Sequence, residues 1–140
     1  MFSGHIVHYH VLCYIISVAA ATNYQPPKGK RMGTPALIAR KINNNEYQVI
    51  YCHYDGYPSH TGKMLADSFG STAAVQRLMD GGDLKAIASN GTTIPLGGGS
   101  PARTLKRISD STNYADFIYV FDPSTQSWSV YRKHRFMDLE

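Results

Sequence analysis

Residues 50–58 restrict the fold more than any other part of this sequence. They begin as a run of aromatic and β-branched residues, which favours a β-strand, and they end in Asp-Gly-Tyr-Pro. Asp, Gly and Pro end strands and favour turns. Thr61 follows, and threonine is a residue type that can cap a helix. The stretch therefore predicts a strand, a sharp turn and a helix in succession.

The size and composition of the chain predict a single folded domain. Its 140 residues suffice to bury a core without disulfide bonds, and a hydrophobic fraction of 43% is too high for a disordered chain. No disulfide framework is expected from the two cysteines, Cys13 and Cys52, because the first lies in an N-terminal segment of different composition, so a reducing compartment fits best. A net charge of +4 permits binding to nucleic acid, but the basic residues are spread along the chain.

The first 31 residues differ in composition from the rest of the chain. Residues 11–21 form an apolar run that ends in alanines, as in a signal peptide, but no Lys or Arg precedes the run. The run is also shorter than the ~20 residues of a membrane-spanning helix. Residues 25–31 form a polar stretch with two prolines. We therefore predict a leader outside the fold over residues 1–31 and one domain over residues 32–140, with secretion as the minority interpretation.

The domain is predicted to contain two β-hairpins with two helices between them. Turn residues separate β-branched and aromatic runs, which predict strands, and apolar residues spaced three or four apart predict helices. The predicted strands are 36–42, 46–54, 116–121 and 128–134, and the predicted helices are 62–69 and 73–79. This ββααββ order predicts an α+β fold in which two antiparallel hairpins form one sheet with two short helices on one face. Residues 89–112, rich in Gly and Pro, are predicted to form a long surface loop.

Alternation along the strand at 46–54 distributes its side chains over two faces of the sheet. One face takes Tyr47, Val49, Tyr51 and His53, and the other takes Gln48, Ile50, Cys52 and Tyr54. Because both sets are half apolar, we expect one face to pack on helices and the other to be partly covered or to bind a partner. After this strand, Gly56 is predicted to have a positive φ or another conformation that is costly for a residue with a Cβ atom.

Parts of the sequence resemble a family of small bacteriophage and prophage proteins, most of them uncharacterised. The specific match is an IYCHxDGYP strand and turn. The matching residues are 36–39, 50–58, Gly62 with Leu65, 78–84 and 117–130, and residues 1–31 have no counterpart. The resemblance implies a phage origin and not a particular activity. A phage origin favours a role in the host cell that small non-enzymatic proteins usually carry out, and we expect it in the host cytoplasm. Such a protein would bind a host factor or a small ligand during host takeover or defence evasion.

The turn after residue 54 and the start of the following helix form the predicted binding site. Polar and aromatic side chains are more concentrated there than turn formation requires. The candidate binding residues are Tyr51, His53, Asp55, Tyr57, His60 and Lys63. No catalytic residue, metal ligand or cofactor is assigned, and no membrane association is expected.

Three sharper chemical interpretations of the same region are disfavoured. A phosphate-binding loop fails on spacing, since five residues instead of four separate Gly56 from the next Gly-Lys pair. A metal site built from Cys52, His53, Asp55 and His60 fails because the first two side chains point to opposite faces. Catalysis by the Cys52 thiol would need a base on the same face and a lowered thiol pKa.

Nucleic-acid binding is the alternative function. Aromatic residues on strands can stack on unpaired bases. The candidate aromatic residues are Tyr47, Tyr51, Tyr119, Trp128 and Tyr131. The most basic patch lies near the carboxyl terminus and comprises Arg132, Lys133 and Arg135. Binding to single-stranded nucleic acid that weakens steeply with salt would identify this function.

Overall fold

The structure is a computed structural model that describes residues 12–17, 33–108 and 115–134, with the backbone alone described for residues 12–17 and 133–134. The strands are β1 (Leu12–Ser17), β2 (Ala36–Asn43), β3 (Glu46–Cys52), β4 (Leu84–Ile87), β5 (Thr93–Pro95), β6 (Arg103–Leu105), β7 (Phe117–Asp122) and β8 (Ser127–His134). A π-helical turn, Pro58–Gly62, leads into helix α1 (Lys63–Ser68), and helix α2 (Thr72–Asp80) follows.

All described strands belong to one mixed sheet. The order is β1-β8-β7-β2-β3-β4-β5, and β6 pairs with β3 beside β4. The pairs β2–β3 and β7–β8 are antiparallel, whereas β2 and β7 pair in parallel at the centre of the sheet. The α+β class is confirmed. The ββααββ arrangement is too simple, because three further strands lie between the helices and β7.

The additional strands correct the prediction of a long surface loop at residues 89–112. Strands β5 and β6 have only three residues each, and residues 96–101 between them are rich in Gly and Pro. Such short strands leave almost no periodic signal in a sequence. Asp83 holds this region together, because its carboxylate accepts hydrogen bonds from the Ser100 N–H at 3.0 Å and from Arg103 Nη1 at 3.1 Å.

The helices cover one face of the sheet, which we call the helix face. The apolar residues predicted from helical spacing are buried there at Met64, Leu65, Val75, Leu78 and Met79, with Phe69 partly buried. The largest strand side chains of this face are Tyr119, Phe121 and Trp128. The opposite face, called the second face, carries a smaller core that Ile108 and Ala115 help to bury. Both faces of the sheet are therefore apolar at the centre, as the mixed alternation in β3 indicated.

The two helices begin in different ways. Helix α2 begins at Thr72, one residue before the predicted start, and the Ser71 side chain caps it by accepting a hydrogen bond from the Ala74 N–H at 3.2 Å. The first helical segment begins earlier than predicted, at Pro58, because proline suits the first position of a helix. Thr61 is therefore not its cap and lies buried within the π-helical turn.

Part of the predicted leader pairs with the sheet. The backbone of Leu12–Ser17 forms an antiparallel ladder with β8, in which Leu12 is opposite His134 and Ser17 is opposite Ser129. These six residues are the outermost strand of the sheet, whereas the sequence predicted that residues 1–31 lie outside the fold. The other residues of the leader lie outside the described residues. Pairing at an edge does not show that the domain depends on the strand, so the boundary at residue 32 stays a prediction.

Candidate functional site

The turn after β3 is built around a close approach of Gly56 to β2. A Cβ atom on Gly56 would lie 2.5 Å from Thr34 O and 2.6 Å from the Cβ of Ala36. The Gly56 N–H donates to Thr34 O at 2.7 Å. The predicted positive φ is wrong for Gly56 and is found at Asp55, where φ is 56°. Glycine is required at position 56 because the neighbouring strand leaves no room for a side chain.

Tyr119 of β7 anchors this turn from the helix face. Its hydroxyl donates to Gly56 O at 2.7 Å, and the whole residue is buried. A Cβ atom on Gly62 would lie 3.2 Å from Cε1 of the Tyr119 ring. The two glycines of the turn therefore sit against one tyrosine, and this tyrosine comes from a strand far away in sequence.

Two more residues of the turn have structural partners. The Thr61 hydroxyl donates to Asp55 O at 2.7 Å. His60 Nε2 lies 2.6 Å from the Ile87 carbonyl at the end of β4. These bonds explain the residue types at positions 60 and 61 without reference to a ligand. Among the predicted binding residues, His60 is thus a structural element of the turn.

A cluster of three rings lies on the β3 side of the turn. Tyr51 Oη is 2.9 Å from His53 Nδ1, and the rings of His53 and Tyr54 meet edge to face at 4.4 Å between centroids. Tyr54 is 37% exposed. The sequence placed Tyr54 on the face of Cys52, but β3 ends at Cys52, so strand alternation does not extend to Tyr54. The end of the strand is the reason that sequence analysis missed this residue.

Several polar groups of the turn have no hydrogen-bond partner within the described part of the chain. They are His53 Nε2, Tyr54 Oη, the Asp55 carboxylate and Tyr57 Oη. The ring of Tyr57 is half-buried and packs against the helix-face core. Lys63 differs from this group, because its ammonium forms an exposed ion pair with Asp67 at 2.9 Å. We call His53, Tyr54, Asp55 and Tyr57 the contact set.

Cys52 lies beside the contact set but is chemically inert near neutral pH. Its side chain is buried, and its thiol donates a hydrogen bond to Tyr54 O at 3.6 Å. Burial raises the pKa of the Cys52 thiol from its ordinary value of 9.0 to about 11. Since the thiolate is the nucleophilic form, this cysteine does not suit nucleophilic catalysis. Across the described ranges, no three His, Cys, Asp or Glu side chains group as metal ligands would.

A shallow cavity lies away from the contact set, at the end of α2. It has a volume of about 240 Å³, and its lining includes Asp80, Asp83, Leu96 and Ser100. The Asp83 carboxylate also accepts a hydrogen bond from the Tyr51 N–H of β3 at 2.9 Å. On β3, Tyr51 lies between the residue that pairs with β4 and the residues that pair with β6, so the Asp83 side chain bonds the β3 backbone where neither strand does. Asp83 therefore acts as a structural bridge at the edge of this cavity.

The residues proposed for stacking on bases are divided between the two faces. Tyr119 and Trp128 are buried under the helices, and Trp128 Nε1 donates to Phe69 O at 2.8 Å. These two candidates are therefore not available as stacking surfaces. Tyr47, Tyr51 and Tyr131 are half-buried against the second face. Arg132 is also half-buried, whereas the Lys133 side chain and Arg135 lie outside what the structure describes.

Comparisons of the chain with protein-family models, with curated proteins and with solved structures give no match. Within the described ranges, none of the helices has the length and apolar character needed to cross a membrane.

Proposed function

We propose that this protein is a non-catalytic binding protein and that the contact set forms its binding surface. The proposal rests on one observation: some residues of the turn have contacts within the fold, and others have polar groups without a partner. Gly56, Thr61 and His60 each have a close structural contact. In the contact set, by contrast, His53 Nε2 and the side-chain oxygens of the other three residues have no hydrogen-bond partner among the described residues, although His53 Nδ1 lies 2.9 Å from Tyr51 Oη. Polar side-chain groups that form no hydrogen bond within the fold, on a turn whose backbone is held in place, are typical of recognition surfaces.

The turn is well suited to present these groups in a fixed geometry. The bond from Tyr119 and the close approach to β2 hold the backbone at Gly56 from two sides. The positive φ of Asp55 is uncommon for a residue with a side chain, and such conformations cluster at functional sites. A surface that is ordered before binding loses less entropy when a partner binds.

A protein is the partner class that fits this surface best. The contact set lies along a partly exposed turn, whereas sites for small molecules are concave and enclose most of the ligand. The resemblance to bacteriophage proteins makes a bacterial host protein the expected partner. We accordingly propose an accessory role in host takeover or defence evasion, in the host cytoplasm.

The first experiment is affinity capture with the tagged full-length protein from a nuclease-treated bacterial lysate, at low and at high salt. We expect one protein to be enriched over a tag-only control, with little loss at high salt. Fluorescence anisotropy with labelled single-stranded DNA and RNA tests the alternative. Tight binding to these probes that weakens steeply with salt, without a captured protein, would contradict the proposal and favour a nucleic-acid-binding module.

A further inference from the structure

The strand β1 lies at one edge of the sheet, next to β8. Among the described elements, β1 has extensive contacts with β8 alone. Its other edge has no paired strand in the described sheet. A strand held from one side only depends on a single ladder, here one of six residue pairs from Leu12–His134 to Ser17–Ser129.

The connection between β1 and the rest of the fold is long. In the sheet, β8 and β7 lie between β1 and β2, so the two strands are about 14 Å apart at roughly 4.8 Å per spacing. Eighteen residues, 18–35, join Ser17 to Ala36. At roughly 3.3 Å per residue such a segment can extend to about 60 Å, several times the distance it must bridge. The connection therefore does not force β1 to stay on β8.

The sequence of β1 suits addition to a sheet edge. Residues 12–17 contain no charged residue, no Gly and no Pro. Main-chain hydrogen bonds supply most of the attraction when an extended segment adds to an edge, and they tolerate many side chains. When β1 leaves, the eight residues of β8 become the edge of the sheet, and an uncovered edge of that length attracts other strands.

We propose that the β8 edge is a strand-acceptor site for an uncharged extended segment in antiparallel orientation, and that residues 12–17 are its exchangeable occupant. The inference is independent of the binding surface at the turn after β3. In this arrangement β1 protects the β8 edge from pairing with other chains, and its release exposes that edge.

The test uses full-length protein in which Cys13→Ser prevents oxidation. A variant with Ile15→Pro and Ile16→Pro disrupts the ladder, because successive N–H groups of a strand point in opposite directions and one of the two must face β8. The probe is a fluorescent peptide with the sequence of residues 10–19 carrying Cys13→Ser, and a scrambled peptide is the control. We expect the proline variant to bind the probe about tenfold or more tightly than the parent, in which β1 competes.

Hydrogen exchange on the parent protein gives a second measurement that does not depend on the variant. The β8 amides that face β1 should exchange faster than those that face β7, since β1 opens locally. A folded proline variant that fails to bind the peptide would overturn the proposal. Loss of folding in that variant would show that β1 is an integral strand. The same conclusion would follow if both sets of β8 amides exchanged only when the β2 and β7 core exchanges.

Discussion

The hydroxyl of Tyr119 donates a hydrogen bond to the carbonyl oxygen of Gly56 at 2.7 Å, in a fully buried position. This bond joins the central strand β7 to the turn that carries the contact set. Replacing Tyr119 by Phe removes the donor and leaves the Gly56 carbonyl unpaired. We expect the free energy of unfolding in urea to fall by about 1–2 kcal/mol.

Tyr57→Phe is the matched control for this substitution. It also removes a tyrosine hydroxyl, but this hydroxyl has no partner among the described residues. The free energy of unfolding should therefore change by less than about 0.5 kcal/mol. Equal losses in the two variants would show that the bond from Tyr119 does not anchor the turn.

Gly56→Ala tests the close approach of the turn to β2. The added methyl group would lie 2.5 Å from Thr34 O, and backbone atoms must move to admit it. We expect a loss of about 2 kcal/mol or more in the free energy of unfolding, the upper range of overpacking costs. Gly97→Ala is the control, because no atom lies within 4 Å of its added Cβ. A melting temperature of Gly56→Ala equal to that of the control would remove the structural reason for this glycine.

The fold class and the core of the helices could be predicted from the sequence because they depend on local patterns. Val75, Leu78 and Met79 repeat at helical spacing in α2 and are buried. The parallel pairing of β2 with β7 could not be predicted, because it joins segments about 80 residues apart and leaves no trace in either one. The same holds for β6, which pairs with β3 and whose Arg103 contacts Asp83, a residue 20 positions earlier in the sequence.

At the candidate site, the sequence predicted a sharp turn after β3 but not the structural contacts of each residue in it. Gly56 was predicted to have a positive φ or another conformation that is costly for a residue with a Cβ atom, and the positive φ is not found. The reason for this glycine is the proximity of Thr34 and Ala36, which only tertiary structure reveals. The bond from His60 to Ile87 O could not be predicted, because it joins the turn to β4, a strand that the sequence did not predict.

The buried thiol of Cys52 predicts a dependence of stability on pH. Its pKa is raised to about 11 in the folded protein, whereas the unfolded thiol ionises near 9.0. Its contribution to stability is therefore fully present below pH 9 and is lost as the pH rises toward 11. The unfolding free energy in a Cys13→Ser background should fall more steeply over this range than that of the same protein with Cys52→Ala, by up to about 3 kcal/mol. A constant difference between the two proteins from pH 8 to pH 11 would contradict this assignment.

Deleting residues 1–31 tests the domain boundary. If β1 is exchangeable and the core lies within residues 32–140, the truncated protein should still unfold cooperatively in urea. Association at high concentration should increase, because the deletion uncovers the β8 edge. Sedimentation velocity measures the association, and circular dichroism measures the unfolding. Loss of cooperative unfolding in the truncated protein alone would place the apolar leader within the core.

The contact-set variant changes three of the four residues, with His53→Ala, Asp55→Asn and Tyr57→Phe, and leaves Tyr54 in place. These changes remove an imidazole, a charge and a hydroxyl but keep the Tyr57 ring that packs against the core. The unfolding free energy should therefore stay within about 1 kcal/mol of wild type. A control variant carries Arg77→Ala and Thr104→Ala at exposed positions outside the contact set.

The most direct measurement is quantitative mass spectrometry of the host protein captured from bacterial lysate by wild type, by the contact-set variant and by the control variant. We expect wild type and the control variant to capture the same protein equally, and the contact-set variant to capture about tenfold less or lower. Undiminished capture by a folded contact-set variant would contradict the assignment of binding to the turn after β3.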